Sequence, residues 1–226
     1  MQLFADRADA GRQLAVLLRE YANDPKAIVL ALPRGGVPVG YEIACALNIP
    51  LDVYVVRKLG VPGHEELAMG ALASDGTCVV DHELMQSLRI DQSALDAVVA
   101  REAEELRRRE VAYRDDRPEP QLAGMVAIVV DDGLATGATM RAAAMALRRR
   151  NPKSIITAVP VAAARTCESL RGVVDRVVCI STPEPFHAVG LYYRNFEQIG
   201  DEEVRRRLRD AAGEQGGVSR RSISQT

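Results

Sequence analysis

No run of apolar residues in this chain approaches the roughly 20 needed to cross a bilayer as a helix. Charge of one sign is missing too: 31 Asp and Glu stand against 29 Lys and Arg, a net charge of −2. That balance gives no support to a bulk nucleic-acid or polyanion binder, although it leaves local basic patches open. The four cysteines, Cys45, Cys78, Cys167 and Cys179, form no C-x-x-C pair and have no histidine set beside them. Structural zinc is therefore not expected. Each cysteine sits among apolar or small residues, so buried free thiols are expected. The first twenty residues, MQLFADRADAGRQLAVLLRE, carry charges throughout and lack the apolar core of a signal peptide. The expectation is a cytoplasmic enzyme or binding protein without disulfides.

What is present is an ordinary globular composition, 47% hydrophobic and 27% charged over 226 residues. That length suits one α/β domain, expected over residues 1–212, with an unstructured tail over 213–226. Asp6 to about Glu20 reads as an amphipathic helix. The run Ala27–Leu32 is apolar throughout, as in a strand covered on both faces. It ends in PRGG and leads to a helix whose Pro38 is tolerable only in the first turn. A second strand, Leu51–Val56, ends in Arg57 and Lys58, completing a βαβ unit and hence a parallel sheet.

Leu67–Val80 reads as a hairpin around Asp75-Gly76. A long helix follows from Ser93, which has capping-box spacing to Asp96. Leu95, Val99, Leu106 and Tyr113 form its apolar stripe, and Arg107 to Arg109 read as a solvated end suited to the helix dipole. Further strands are expected at Met125–Val130, in SIITAVPV and in VVDRVVCI, with helices at Ala138 to about Arg150 and Ala163–Leu170. An irregular stretch containing Phe186, His187, Tyr192 and Tyr193 precedes a short helix from Asp201.

The most informative segment is IVVDDGLATGATM, Ile128 to Met140. Two like charges, Asp131 and Asp132, end a strand that reads as buried. Burying either is costly unless it is paired or hydrogen-bonded. The loop that follows offers mainly backbone N–H groups, and it opens a helix. Ala135 to Thr139 at a helix N-terminus make a phosphate cradle, to which the Thr136 and Thr139 hydroxyls add donors. Carboxylates would repel phosphate, so they should face vicinal hydroxyls, which are donors. The segment suits a ribose 5-phosphate. A Walker loop is excluded because Gly133 and Gly137 are one residue too close and no Lys follows; G-x-G-x-x-G is absent.

VVDDGLATGAT resembles the phosphoribosyl diphosphate (PRPP) binding motif of the type I phosphoribosyltransferases. PRGG resembles that family's diphosphate loop, and VRKLGVPGHEELAMGA its basic strand end and lid. The resemblance covers about Phe4 to Val204 and is greatest to uncharacterised bacterial proteins with this domain. It implies an α/β fold: a parallel-sheet, Rossmann-like core with helices on both faces, a hairpin or lid insertion and a small hood. It implies a Mg²⁺-dependent transfer of ribose 5-phosphate from PRPP to a small nitrogenous base or amine, with diphosphate released.

Carried over, Asp131 and Asp132 bind the ribose hydroxyls and stabilise developing positive charge, with a contribution to metal binding mainly through PRPP. Ala135, Thr136, Gly137, Ala138 and Thr139 hold the 5-phosphate. Arg34, Gly35 and Gly36 contact diphosphate, with Arg57 and Lys58 as nearby catalytic cations. A non-proline cis peptide is expected near Arg34–Gly35. Gly60, Gly63, His64, Glu65 and Glu66 belong to the lid, and a homodimer is expected. Arg57 and Lys58 also fit ordinary solvated charges, the lid a plain polar loop, and His187 a packing or capping role.

Ala135 replaces the Asp that serves the base in hypoxanthine–guanine enzymes, which argues against a 6-oxopurine of that kind. The resulting ATG form matches adenine and uracil enzymes, but Asp132 replaces the proline of the uracil pattern. Adenine is the nearest base by loop chemistry. The rival reading is a non-catalytic sensor of PRPP or nucleotides, and the presence of Arg34, Arg57, Lys58 and the lid favours chemistry. Transfer to water or phosphate is a third possibility.

Overall fold

The computed structural model describes residues 3–74, 76–114 and 119–221. Helix α1 (Arg7–Leu17) is capped by Asp6, whose Oδ1 accepts from the Asp9 amide at 2.8 Å. Strand β1 (Ala27–Ala31) is buried at every position and is followed by α2 (Gly36–Leu47) and β2 (Leu51–Val53). Here the sequence expectation needs correcting. The strand read as Leu51–Val56 stops at Val53, and β3 (Val56–Val61) starts a separate sheet. Arg57 and Lys58 therefore lie within β3 rather than at the end of a core strand.

β3 pairs antiparallel with β4 (His64–Ala73), and β4 pairs with β5 (Cys78–Val80). The hairpin read around Asp75-Gly76 is present as β4–β5, although Asp75 itself lies outside the described residues. The lid segment also has a regular form, because His64 pairs with Val61 across the tip of the β3–β4 hairpin. A short helix α3 (His82–Ser87) leads to the 23-residue α4 (Gln92–Arg114). Asp91 supplies the capping oxygen for α4, accepting from Ala94 N–H at 2.8 Å, and the Ser93 hydroxyl donates to that same carboxylate.

The remaining elements are β6 (Val126–Val130), α5 (Ala138–Arg148), β7 (Ser154–Val161), α6 (Ala164–Leu170), β8 (Arg176–Ser181) and α7 (Asp201–Arg221). α7 is longer than the short helix expected; residues 222–226 fall outside the described part. Two cysteines depart from expectation: Cys45 and Cys78 are exposed, Cys167 is buried and Cys179 partly so, all with free thiols.

The central sheet is parallel in the order β2-β1-β6-β7-β8. Its strands alternate between two apolar layers. Ala27, Val29 and Ala31 join the core with α1, α2 and α7, while Ile28 and Leu30 join the one with α5. A period-2 strand buried on both faces must read as a continuous apolar run, as AIVLA does. The chain leaves β1 toward β2 on one side and later returns as β6 on the other. The crevice between β1 and β6 is thus the switch point of the sheet, where ligands of open α/β folds bind. Ala31 and Val130 are register partners, so the PRGG loop and the acidic loop emerge side by side. Phe4, Tyr192 and Tyr193 form a third small apolar cluster, with Phe186 and Val189 packed against it, that makes the hood.

Candidate active site at the switch point

The two loops at the crevice touch along their backbones. Leu32 N–H donates to Val130 O at 2.8 Å. A Cβ on Gly35 would lie 2.1 Å from Asp132 Oδ2, and one on Gly36 would lie 2.4 Å from Val130 O. Only residues without a side chain allow that approach. The non-proline cis peptide is present at Pro33–Arg34, one bond earlier than expected.

Asp132 is held at both ends. Its Oδ2 accepts from Arg7 Nε at 2.8 Å, and its carbonyl accepts from the Tyr193 hydroxyl at 2.6 Å. Arg7 is 8% exposed; its Nη1 donates to Glu197 O at 2.8 Å and its guanidinium lies 3.8 Å from the centre of the Phe196 ring. Asp131 Oδ1 accepts from the Asp132 amide at 2.9 Å. Burial pushes the Asp131 carboxyl well above the usual range, the Asp132 charge adds to this, and the amide and Arg7 oppose it. Burial raises the Asp132 carboxyl as well, with Arg7 as the main opposing influence. Tyr193 is raised by burial first and by the Asp132 charge second, so its hydroxyl stays a donor.

The loop after the acids runs into the N-terminus of α5. Gly137 sits at φ +71°, and a Cβ there would come within 2.6 Å of Thr166 Cγ2. Thr166 Oγ1 donates to Ala135 O at 2.6 Å, and Leu134 N–H donates to Val161 O at 2.9 Å, which fixes the loop to the end of β7. Ala135, Thr136 and Thr139 are exposed, and Ala138 N–H has only a long 3.4 Å contact with Thr136 Oγ1. The first amides of α5 are thus available to an anion, as a helix N-terminus requires.

Two cavities flank this loop. One, of about 200 Å³, is lined by Pro33, Arg57, Lys58, Arg109, Asp131 and Thr139, among others. The other, of about 530 Å³, is bounded by Ala135, Thr136, Arg165, Glu184, Phe186 and His187, among others. His187 is exposed here rather than packed. Arg57 donates from Nε and Nη2 to Glu102 Oε2 at 2.7 and 2.6 Å. Arg34 turns toward α7, pairing with Asp201 Oδ1 at 3.1 Å and donating to Ile199 O at 3.2 Å. His64 and Glu65 are exposed on the hairpin, Gly60 and Gly63 flank its tip, and the Glu66 side chain lies outside the described residues.

The structure therefore brings Asp131, Lys58, Arg57 and Thr139 together, with the backbone of the PRGG loop against Asp132. The Arg34 guanidinium is directed elsewhere. Reading the sequence missed the parts played by Arg7, Tyr193, Glu102 and Arg109. Among the described residues no group of three or more His, Cys, Asp or Glu side chains could cage a metal. The donors fit a Mg²⁺ only where a ligand's phosphates and water supply most of its oxygens, a common arrangement for that ion.

Residues 2–194 match the model of the phosphoribosyl transferase domain, and the chain belongs to that family. Two Mycobacterium tuberculosis proteins, the provisionally named phosphoribosyl transferases MT0597 and Rv0571c, are each 46% identical over 204 residues. That alignment covers 90% of this chain but 46% of theirs, so the chain spans about half the length of these curated relatives. Among solved structures, TT1426 from Thermus thermophilus is 40% identical, with a TM-score of 0.86, over 93% of this chain and 99% of that one. The AQ2163 protein from Aquifex aeolicus, at 10% identity and a TM-score of 0.50 over 81% of this chain and 78% of its own, shares the fold alone. The type I phosphoribosyltransferase architecture expected from the sequence is the one the chain adopts.

Proposed function

We propose that this domain transfers ribose 5-phosphate from PRPP to a small nitrogenous acceptor and releases diphosphate. The observation that carries the reading is the arrangement around Asp131. A partly buried carboxylate stands at the switch point between an open helix N-terminus and a cavity lined by three cations.

The α5 amides and the Thr136 and Thr139 hydroxyls would hold the 5-phosphate. Asp131 and Asp132 would accept from the ribose 2- and 3-hydroxyls, anchoring the ring beside its reacting carbon. The C1–oxygen bond to diphosphate breaks and a C1–nitrogen bond forms, and the acceptor gives up one proton. Positive charge that builds on the ring in between would favour ionisation of the acids, whose carboxylates would stabilise it in turn. Arg57 and Lys58 would take the charge of the departing diphosphate. A bound Mg²⁺ would add charge neutralisation on that leaving group. The larger cavity under the hood would receive the acceptor, with Phe186 available to stack on a planar ring. The hairpin carrying Gly60, Gly63, His64 and Glu65 would cover the site and exclude water. Adenine is the first base to try, because Ala135 gives the loop its ATG form.

A sensor that binds PRPP without turning it over is the second reading, but the retained cation-lined cavity favours chemistry. The test is diphosphate release from PRPP in the presence of Mg²⁺ against a panel of nucleobases and simple amines. Release with one acceptor supports transfer; saturable PRPP binding with release from none moves the reading to the sensor. Light scattering checks the expected homodimer.

A further inference from the structure

The proposed reaction gives roles to Arg57 and Lys58 but none to α4, the longest helix among the described residues. Its inward face follows helical spacing through Leu95, Val99, Glu102, Leu106, Arg109 and Tyr113. Leu95, Leu106 and Tyr113 are buried in the core, and Glu102 is only 8% exposed. Arg109 occupies the next inward position after Leu106 and is partly buried, whereas Arg107 and Arg108 are exposed. The arginine run is thus not uniformly a solvated helix end: one of its three members faces the site.

Arg109 lines the 200 Å³ cavity together with Arg57, Lys58, Asp131 and Thr139. Its Nε donates to Glu105 Oε1 at 2.7 Å, which holds the guanidinium in place. That carboxylate is already engaged on its other side, since Arg108 donates to it from both Nε and Nη2 at 2.8 and 2.9 Å. One negative charge shared between two guanidiniums leaves Arg109 with positive charge to offer. On the same face, buried Glu102 clamps Arg57 by a forked pair of hydrogen bonds. The cavity lining then carries three cations and one carboxylate, Asp131, with Glu102 behind Arg57 and the Glu105 charge shared by Arg108 and Arg109. A polyanion fits that balance, and guanidinium pairs with phosphate oxygens better than an ammonium does.

We infer that α4 forms a third wall of the leaving-group site and that Arg109 contacts the diphosphate directly. The inference rests on the proposed use of PRPP. It is tested by calorimetry on wild type and Arg109→Gln with two probes in Mg²⁺ buffer, inorganic diphosphate and ribose 5-phosphate. The variant is expected to bind diphosphate about tenfold more weakly, the size of one charge-assisted hydrogen bond, with ribose 5-phosphate affinity kept within about twofold. Arg109→Lys should restore part of the lost diphosphate affinity. Unchanged diphosphate affinity in a folded Arg109→Gln protein overturns the inference, as do equal losses for both probes. Wild-type protein that binds ribose 5-phosphate but not diphosphate overturns it while leaving a ribose-phosphate site intact. Wild type that binds neither sinks both this inference and the functional reading.

Discussion

Arg7 and Asp132 form an ion pair at 2.8 Å, both side chains largely enclosed, across 125 positions of sequence. It joins the first turn of the N-terminal helix to the acidic loop after β6. A cation in the first turn of a helix runs against the macrodipole, so Arg7 is held there by its partners rather than by local preference. The pairing also divides the work of the two acids. Asp132 Oδ2 is taken by Arg7 and Asp131 Oδ1 by the Asp132 amide, so in the proposed complex Asp132 Oδ1 and Asp131 Oδ2 would face the ribose.

Removing that cation strands a buried carboxylate. Arg7→Met should destabilise the protein by about 3 kcal/mol. The same change in an Asp132→Asn background should cost much less, because no charge is left unpaired. Urea unfolding of the two single variants and the double variant measures the difference.

Asp131 should oppose stability for the sake of the site. Folding raises its carboxyl above the ordinary value, so the folded chain favours the protonated form. The stability linked to that form is complete below about pH 4 and is lost as pH rises through the folded value. Asp131→Asn should therefore raise the melting temperature at pH 7 by roughly 2–4 °C, for a gain of about 1 kcal/mol. The gain should shrink toward zero near pH 4, and PRPP turnover should be lost. Thermal melts from pH 4 to 8 check the sign.

Gly35→Ala should act on the neighbouring loop. Its new methyl would overlap Asp132 Oδ2 at 2.1 Å and force the carboxylate away from Arg7. Weaker binding of ribose 5-phosphate by about tenfold is expected, the scale of one hydrogen bond to a charged group. Calorimetry with that ligand is the check.

Gly137→Ala combines strain with a clash, since φ is +71° and Thr166 Cγ2 lies 2.6 Å from the added atom. A cost of about 1–2 kcal/mol is expected, together with weaker phosphate binding. Inorganic phosphate titrated into wild type and variant reads the second effect separately from the melting temperature.

Much of this site was legible because it is local in sequence. The run from Ile128 to Met140 carries its strand, acids, turn and helix start in thirteen consecutive positions, and PRGG is equally compact. What the sequence hid was supplied from a distance. Arg7 reaches Asp132 only once α1 and the hood are in place, and Tyr193 likewise. The β2–β3 break was missed because Leu51–Val56 is largely apolar, and a change of sheet leaves no mark on such a run. Arg109 left a trace: Glu102 and Arg109 complete the helical stripe begun by Leu95, Val99, Leu106 and Tyr113. Charged residues at inward positions of a long helix mark either an ion pair or a ligand; here Glu102 marks the pair with Arg57, and Arg109 marks the proposed ligand contact.

The most direct test is the affinity for PRPP itself, measured by calorimetry with Mg²⁺ on wild type and Asp132→Asn. The account predicts saturable binding by the wild type, weakened at least about tenfold when one ribose-facing carboxylate is lost. No binding by folded wild type, or equal binding by both proteins, would contradict the claim that the acidic pair is built for a ribose.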